Sequence, residues 1–218
     1  IQMQQTSLSS GSTSIRIQGL DGRYTQLLRD GFPLYGGFSS GLSILQIPPL
    51  DLQQFEIIKG SSSTLYGGGA IAGLINMVSK TPDEEPTLDI MFTQTQALGS
   101  TVNVFYNKRN EKFGVSLYGS GHYQKVYDPE NDGFSNLPKT TSISFNPKFF
   151  YYPSEKTTFW IGLNGTYDDR IGGDVTKIES GENGIHQYTE ENISKRLSSQ
   201  VVYKTQIDSI SSLNIKNS

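Results

Sequence analysis

A chain of 218 residues has room for one or two ordinary domains. Its hydrophobic content of 34% and charged content of 18% are both low for a compact soluble protein. Glycine, tyrosine, phenylalanine, serine, threonine and asparagine take up the difference, a mixture that suits short strands and turns rather than a helical core. The net charge of −3 argues against a polyanion partner, and therefore against nucleic acid. The absence of cysteine excludes a disulfide scaffold and a thiolate metal site, without excluding an oxidising compartment.

No stretch approaches the length of a membrane helix, a test that a β-barrel escapes because its strands alternate apolar and polar residues. With neither an initiator methionine nor a signal peptide at Ile1, the chain reads as a fragment or a trimmed polypeptide. Residues 1–14, rich in Ser, Gln and Thr, suggest a flexible lead-in. Ile15-Arg16-Ile17-Gln18-Gly19 alternates like a short strand, and Leu27 to Pro33 reads as a strand entering an Asp30-Gly31 turn. From Leu34 to Leu45 the pattern is that of a loop, with Tyr35 and Phe38 set among Gly36, Ser39 and Ser40. Small residues let backbone approach a ligand closely while aromatics supply contact area; equally, the two rings would pin the loop to a neighbouring surface. Pro48-Pro49 breaks the chain, and Leu50-Asp51-Leu52 reads as the start of a short helix.

The stretch Phe55 to Lys80 organises what surrounds it. A strand-like start, Phe55-Glu56-Ile57-Ile58, leads to Lys59-Gly60 and small hydroxyl residues. Leu65-Tyr66, three glycines and Ala70 follow, and a second strand-like run covers Leu74 to Ser79. Glycines this dense between strands imply tight turns and close backbone contact. The block resembles the plug-domain signature of TonB-dependent outer-membrane receptors at Glu56, Lys59-Gly60, Leu65-Tyr66-Gly67, Ala70, Ala72-Gly73 and Ile75-Asn76. Lys59 stands where arginine is usual and Ala72 where glycine is usual. Ile15 to Gly19 is similar to the same family's Ile-Arg-Ile-Arg-Gly element, with Gln18 replacing the second arginine, and Leu28 to Pro33 to its Leu-x-Asp-Gly-x-Pro element.

Thr81 to Pro86, with two prolines and three acids, ends the strand and forms a linker. Beyond it Leu88 to Ala97, Thr101 to Lys108, Lys112 to Gln124, Thr141 to Tyr152, Thr157 to Asp169 and Ser194 to Ile207 read as strands. Phe113, Val115, Leu117 and Tyr123 share one parity against Ser116, Ser120, His122 and Gln124; Phe159, Ile161, Leu163 and Tyr167 oppose Thr158, Asn164, Thr166 and Asp168, with Trp160 out of place on the polar side. Connections alternate between short (Asn110-Glu111, Pro153 to Lys156, Asp208-Ser209) and long (Tyr127 to Lys139, Ile171 to Asn192), the rhythm of a membrane barrel with short periplasmic turns and long outer loops. Leu98-Gly99-Ser100 is the exception, short where an outer loop is expected. Phe149 to Tyr152 falls where an aromatic girdle would meet the periplasmic interface, though a core would also take alternate members of that run.

The expected fold is mainly β: a plug of small mixed sheet, loops and short helices over 1–82, a linker over 83–86, and the first six or seven antiparallel strands of a transmembrane β-barrel over 87–218. Plugged barrels close with about 22 strands of roughly 9–11 residues each, more than the residues after the linker supply. The resemblance implies an outer-membrane active importer of a Gram-negative bacterium, energised through TonB and taking a scarce metal chelate or small organic nutrient such as a ferric siderophore or cobalamin. It implies that the apical plug loop, here Tyr35, Gly36, Phe38, Ser39 and Ser40, touches the ligand. It also implies that plug charges, here Arg16, Glu56 and Lys59, lock the plug to the barrel wall. Two other readings stay open: a passive porin or adhesin barrel, and a soluble β-rich binding module.

The sequence shows little sign of an enzyme. Gly67 to Ala72 fits a phosphate-loop spacing, but a strand follows where a helix should open. Asp128 to Gly133 has the start of a calcium loop, but Lys139 stands where its closing glutamate should be. His122 and His186 lie on separate elements, so no transition-metal site is supported. No nucleophile-and-base set stands out, and neither catalytic residues nor a cofactor are expected.

Overall fold

The structure is a computed structural model; it describes residues 2–7, 12–34, 49–60 and 70–218. In the N-terminal part, β1 (Gln2–Ser7) and β2 (Ser12–Arg16) form an antiparallel pair. The polar start of the chain is thus paired backbone where its composition suggested a lead-in, because strand pairing uses main-chain groups that composition does not report. Four strands then make a mixed sheet in the order β4-β3-β6-β5: β3 (Thr25–Arg29), β4 (Phe32–Pro33), β5 (Leu52–Lys59) and β6 (Gly73–Ser79). β3 runs parallel to β6, while β4 and β5 pair antiparallel with β3 and β6. Asp51 lies in a turn and Leu52 opens β5, so the helix expected there is replaced by a strand.

The Asp30-Gly31 turn forms as its sequence dictates. Both residues have positive φ (53° and 79°), which an Asp-Gly hairpin accepts and other residues resist. Gly73 answers a different demand: at φ 148° a β-carbon there would run into the Ile58 carbonyl, so only glycine lets β6 meet β5. The core of this sheet gathers Ile17, Leu27, Ala72 and Ile75.

After the linker comes one seven-stranded antiparallel sheet with neighbours in chain order: β7 (Thr87–Gln94), β8 (Gly99–Arg109), β9 (Phe113–Gln124), β10 (Lys139–Ser154), β11 (Thr157–Gly173), β12 (Thr189–Gln206) and β13 (Ser212–Asn217). The sheet is not closed on itself. Its two faces differ as the alternation predicted. Ser116, Tyr118, Ser144, Lys148, Phe150 and Trp160 are buried on the concave side, while Phe113, Phe145, Phe149, Ile161 and Leu163 are exposed on the other.

The register sets Phe113, Tyr151, Phe159, Tyr203 and Ile215 side by side across five strands on the outer face, next to the short turns. Phe113 and Tyr151 stack at 5.3 Å. Phe149 and Tyr151 therefore belong to the aromatic belt, and Phe150 and Tyr152 turn inward. From Phe113 to the outward Tyr123 is about 34 Å along the strand, which a tilt of ~35–45° reduces to the ~25 Å apolar band of an outer-membrane barrel. No helix is long and apolar enough to cross a membrane among the described residues.

Candidate functional site

Two regions on the concave face bring functional groups together. The first is where the small sheet meets the wall. β3 ends in Arg29, with Asp30 opening the turn after it, β6 ends in Ser79, and β10 presents Lys148 on its inward parity. The Lys148 Nζ donates to Asp30 Oδ2 at 2.5 Å and to Ser79 Oγ at 2.7 Å. Ser79 gives its N–H and its hydroxyl to the two Asp30 oxygens, each at 2.9 Å, and its Oγ also accepts from Arg29 Nε at 3.5 Å. Arg29 in turn is ion-paired with Asp51, both almost without exposed surface. The Ser79 hydroxyl thus joins two cations and the Asp30 carboxylate, and Arg29 brings in Asp51, so two positive and two negative groups offset one another, which is how the cluster tolerates burial.

Burial by itself raises the Asp30 carboxyl, but Lys148 and the two Ser79 donations outweigh it and hold the group below its ordinary value. Asp51 goes the other way: burial pushes it up by more than Arg29 pulls it down, and its Oδ1 has no partner among the described residues.

Apolar and backbone contacts close around this cluster. Phe32, two residues past Asp30, meets Trp160 edge-on at 6.2 Å, and Lys148 lies 5.1 Å from the same indole. Lys216 of β13 donates to the Asp30 carbonyl at 2.9 Å. The signature residue Asn76 accepts from the Gly31 N–H at 2.9 Å and donates to Glu56 at 2.7 Å. Lys80 pairs with Asp89 of β7 at 3.3 Å, and the linker carbonyl of Asp83 accepts from Arg109 N. Trp160, out of place in the alternation, is the ring against which the hairpin seats.

The second region is a cavity of about 450 Å³ on the side of the long loops, lined by the inward residues of β7–β11. Its walls carry hydroxyls and amides: Thr101, Asn103, Ser120, Gln124, Ser142 and Ser144 among them. His122 Nδ1 is 2.8 Å from Thr101 Oγ1. Arg170 grips Asp168 with both arms of its guanidinium, at 2.6 and 3.2 Å. Tyr118 forms part of the lining and donates to Asn103 at 2.5 Å. The wall offers many neutral hydrogen-bonding groups and one internally satisfied ion pair.

The residues singled out from sequence divide. Tyr35, Gly36, Phe38, Ser39 and Ser40, with Leu65, Tyr66 and Gly67, lie outside the described residues. Ala70 is buried, and Gly73 and Asn76 belong to β6. Of the three expected lock residues, Glu56 is held by Gln54 and Asn76 and shares a cavity with Lys204 and Lys216 of the wall. Lys59 is exposed, and Arg16 has a buried Nε with no partner among the described residues. The ion pairs between the small sheet and the wall among the described residues use other side chains and run both ways: the Asp30 carboxylate on Lys148 of the wall, and Lys80 on Asp89 of the wall. Lys148 gave one sequence signal, a lone cation on the inward parity among aromatics. Asp128 accepts from its own loop at Gly133 N, 2.8 Å away, and no three acidic or histidine side chains converge on one point among the described residues.

Residues 1–74 match the TonB-dependent Receptor Plug Domain family. That part of the chain is therefore similar to the plug of TonB-dependent receptors. It is 28% identical over 158 residues to the ferrichrome outer membrane transporter/phage receptor of Escherichia coli K12, which covers 67% of this chain and 20% of that protein. It is 28% identical over 164 residues to the vitamin B12 transporter BtuB of Vibrio vulnificus, covering 68% and 26%. The closed form of the ferric-catecholate import receptor Fiu from Escherichia coli K12 superposes with a TM-score of 0.70 at 16% identity, over 96% of this chain and 30% of that one, a likeness of fold. The chain therefore spans about a fifth to a quarter of the length of the curated relatives it matches. The first six strands after its linker are those read from the alternation, and the fold is the mainly-β plug and unclosed barrel wall expected.

Proposed function

We propose that this polypeptide is the plug and first wall strands of an active importer for a scarce chelate or corrinoid nutrient, of the ferric siderophore or cobalamin type. Residues 1–82 form the plug, 83–86 the linker and 87–218 the wall. The observation that carries the reading is the neutral buried cluster of Arg29, Asp30, Asp51, Ser79 and Lys148, which seats a small sheet inside a wall that is polar within and apolar without. A pore filled in this way needs work to open, and a membrane without a nucleotide pool receives that work from a partner, here TonB.

Tyr35, Gly36, Phe38, Ser39 and Ser40 contact the ligand at the outer mouth on this reading. Arg16, Glu56 and Lys59 complete the lock against other parts of the barrel. Relatives are transporters and receptors by name, which supports a non-enzymatic role.

The test is uptake of radiolabelled ferric siderophores and cobalamin by cells carrying the full-length protein, with and without TonB and a proton-motive force. Saturable uptake lost on removing either is expected; energy-independent uptake would favour a passive porin instead.

A further inference from the structure

The outer ends of β9 to β12 carry two long loops, 125–138 and 174–188, which the sequence alone leaves as independent excursions. In the structure they are joined. Ser135, with no exposed surface, donates its N–H to the Gly173 carbonyl at 2.9 Å and accepts the Gly173 N–H on its hydroxyl at 2.7 Å. The Val175 N–H reaches the Gly133 carbonyl at 3.0 Å, and Phe134 pairs with Asp174 as an isolated β-bridge. His186 Nε2 lies 3.0 Å from the Asp132 carbonyl, an acceptor, so this nitrogen carries the proton and donates; its ring stands edge-on to Phe134 at 5.3 Å.

The second loop is closed at its neck by one side chain. Asp174, 1% exposed, accepts from the N–H groups of Lys177 (3.0 Å), His186 (2.8 Å) and Gln187 (2.9 Å), while its own N–H reaches the Tyr188 carbonyl at 2.7 Å. It also caps the short helix α1 (Val175–Ser180). Gly184 lies so close that a β-carbon there would strike the carboxylate. The residues that hold the neck, 173–175, are the ones that bind the first loop.

We infer that the two loops are one mechanical unit, an outer lip pinned at Asp174 that moves as a single body. Loops tied only at their own strand ends open separately and at low cost. Here, opening either neck removes the partners of the other. Leu137 and Pro138 on one side, and Asp168 and Arg170 just below the other, line the 450 Å³ cavity, so the unit borders the candidate ligand chamber. What the lip gates rests on the function proposed above; that it is one body does not.

The test is amide hydrogen exchange on the full-length receptor in lipid nanodiscs. Residues 131–137 and 173–188 are expected to exchange as one protected group, and Asp174→Ala to speed both by about tenfold or more. Ser135→Ala, on the other loop, is expected to speed exchange across 173–188. Acceleration confined to the mutated loop in both variants overturns the inference. If Asp174→Ala fails to assemble, spin labels at positions 130 and 182 of the otherwise unaltered receptor decide: one narrow distance supports a single body, and a broad distribution contradicts it. A receptor that imports nothing would remove the transport reading and leave the exchange result standing.

Discussion

Lys148 is the residue on which the seating of the plug turns. Replacing it with alanine strands the Asp30 carboxylate in a buried site, and losing one member of a buried pair costs about 3–5 kcal/mol. Equilibrium unfolding of the full protein is expected to show that loss. The double change Lys148→Met with Asp30→Asn is expected to recover most of it, because no charge is then left unpaired; a single-variant cost below ~1 kcal/mol contradicts the account.

Asp174 supplies the pH prediction. Its backbone donors hold its carboxyl below the usual 3.8, so its contribution is complete above that value and fades only as pH falls through the lower, folded one. The label distance between positions 130 and 182 should therefore stay narrow at pH 5 and broaden only below the ordinary aspartate range; broadening between pH 7 and 5 counts against this role. Neither residue was legible as a site: Lys148 meets Asp30 from 118 residues away, and Asp174 is held by backbone N–H groups of its own loop, which residue type does not announce.

Elements were more legible than sites, for a physical reason. A strand with one face in lipid and one toward the plug must alternate, so β8 to β12 stand out in the sequence, with boundaries off by a few residues where the strands continue past the membrane into the outer loops. The Asp30-Gly31 hairpin was legible because its turn type dictates its residues. The pairing of residues 2–7 with 12–16 was not, because it rests on main-chain bonds, and neither was the strand at Leu52, where tertiary pairing with β6 overrides a local helix signal. At this scale Gly73→Ala is the direct probe. The added methyl meets the Ile58 carbonyl in a backbone conformation that L-residues rarely adopt. A cost of at least ~1–2 kcal/mol is expected, with protease access to β5 and β6 increasing while the wall stays intact. Unchanged protection would mean that β5 and β6 do not meet as described.

For the whole molecule, the two faces of the wall make opposite demands. Phe145 is 54% exposed on the outer face, within the apolar band, and its neighbour Ser144 lies on the concave side. Phe145→Arg is expected to cost about 2–4 kcal/mol of folding into a bilayer, whereas Ser142→Arg, toward the lumen, is expected to cost far less. Refolding of the full protein into vesicles at graded urea measures both; equal costs would mean the faces are not distinguished by lipid. The most direct test of the central claim is a scan of single cysteines along β10 of the full-length receptor in outer membranes, each carrying a fluorophore and exposed to a lipid-phase quencher. The account predicts quenching at 143, 145, 149 and 151 and protection at 142, 144, 148 and 150; a profile without that two-residue alternation would contradict it.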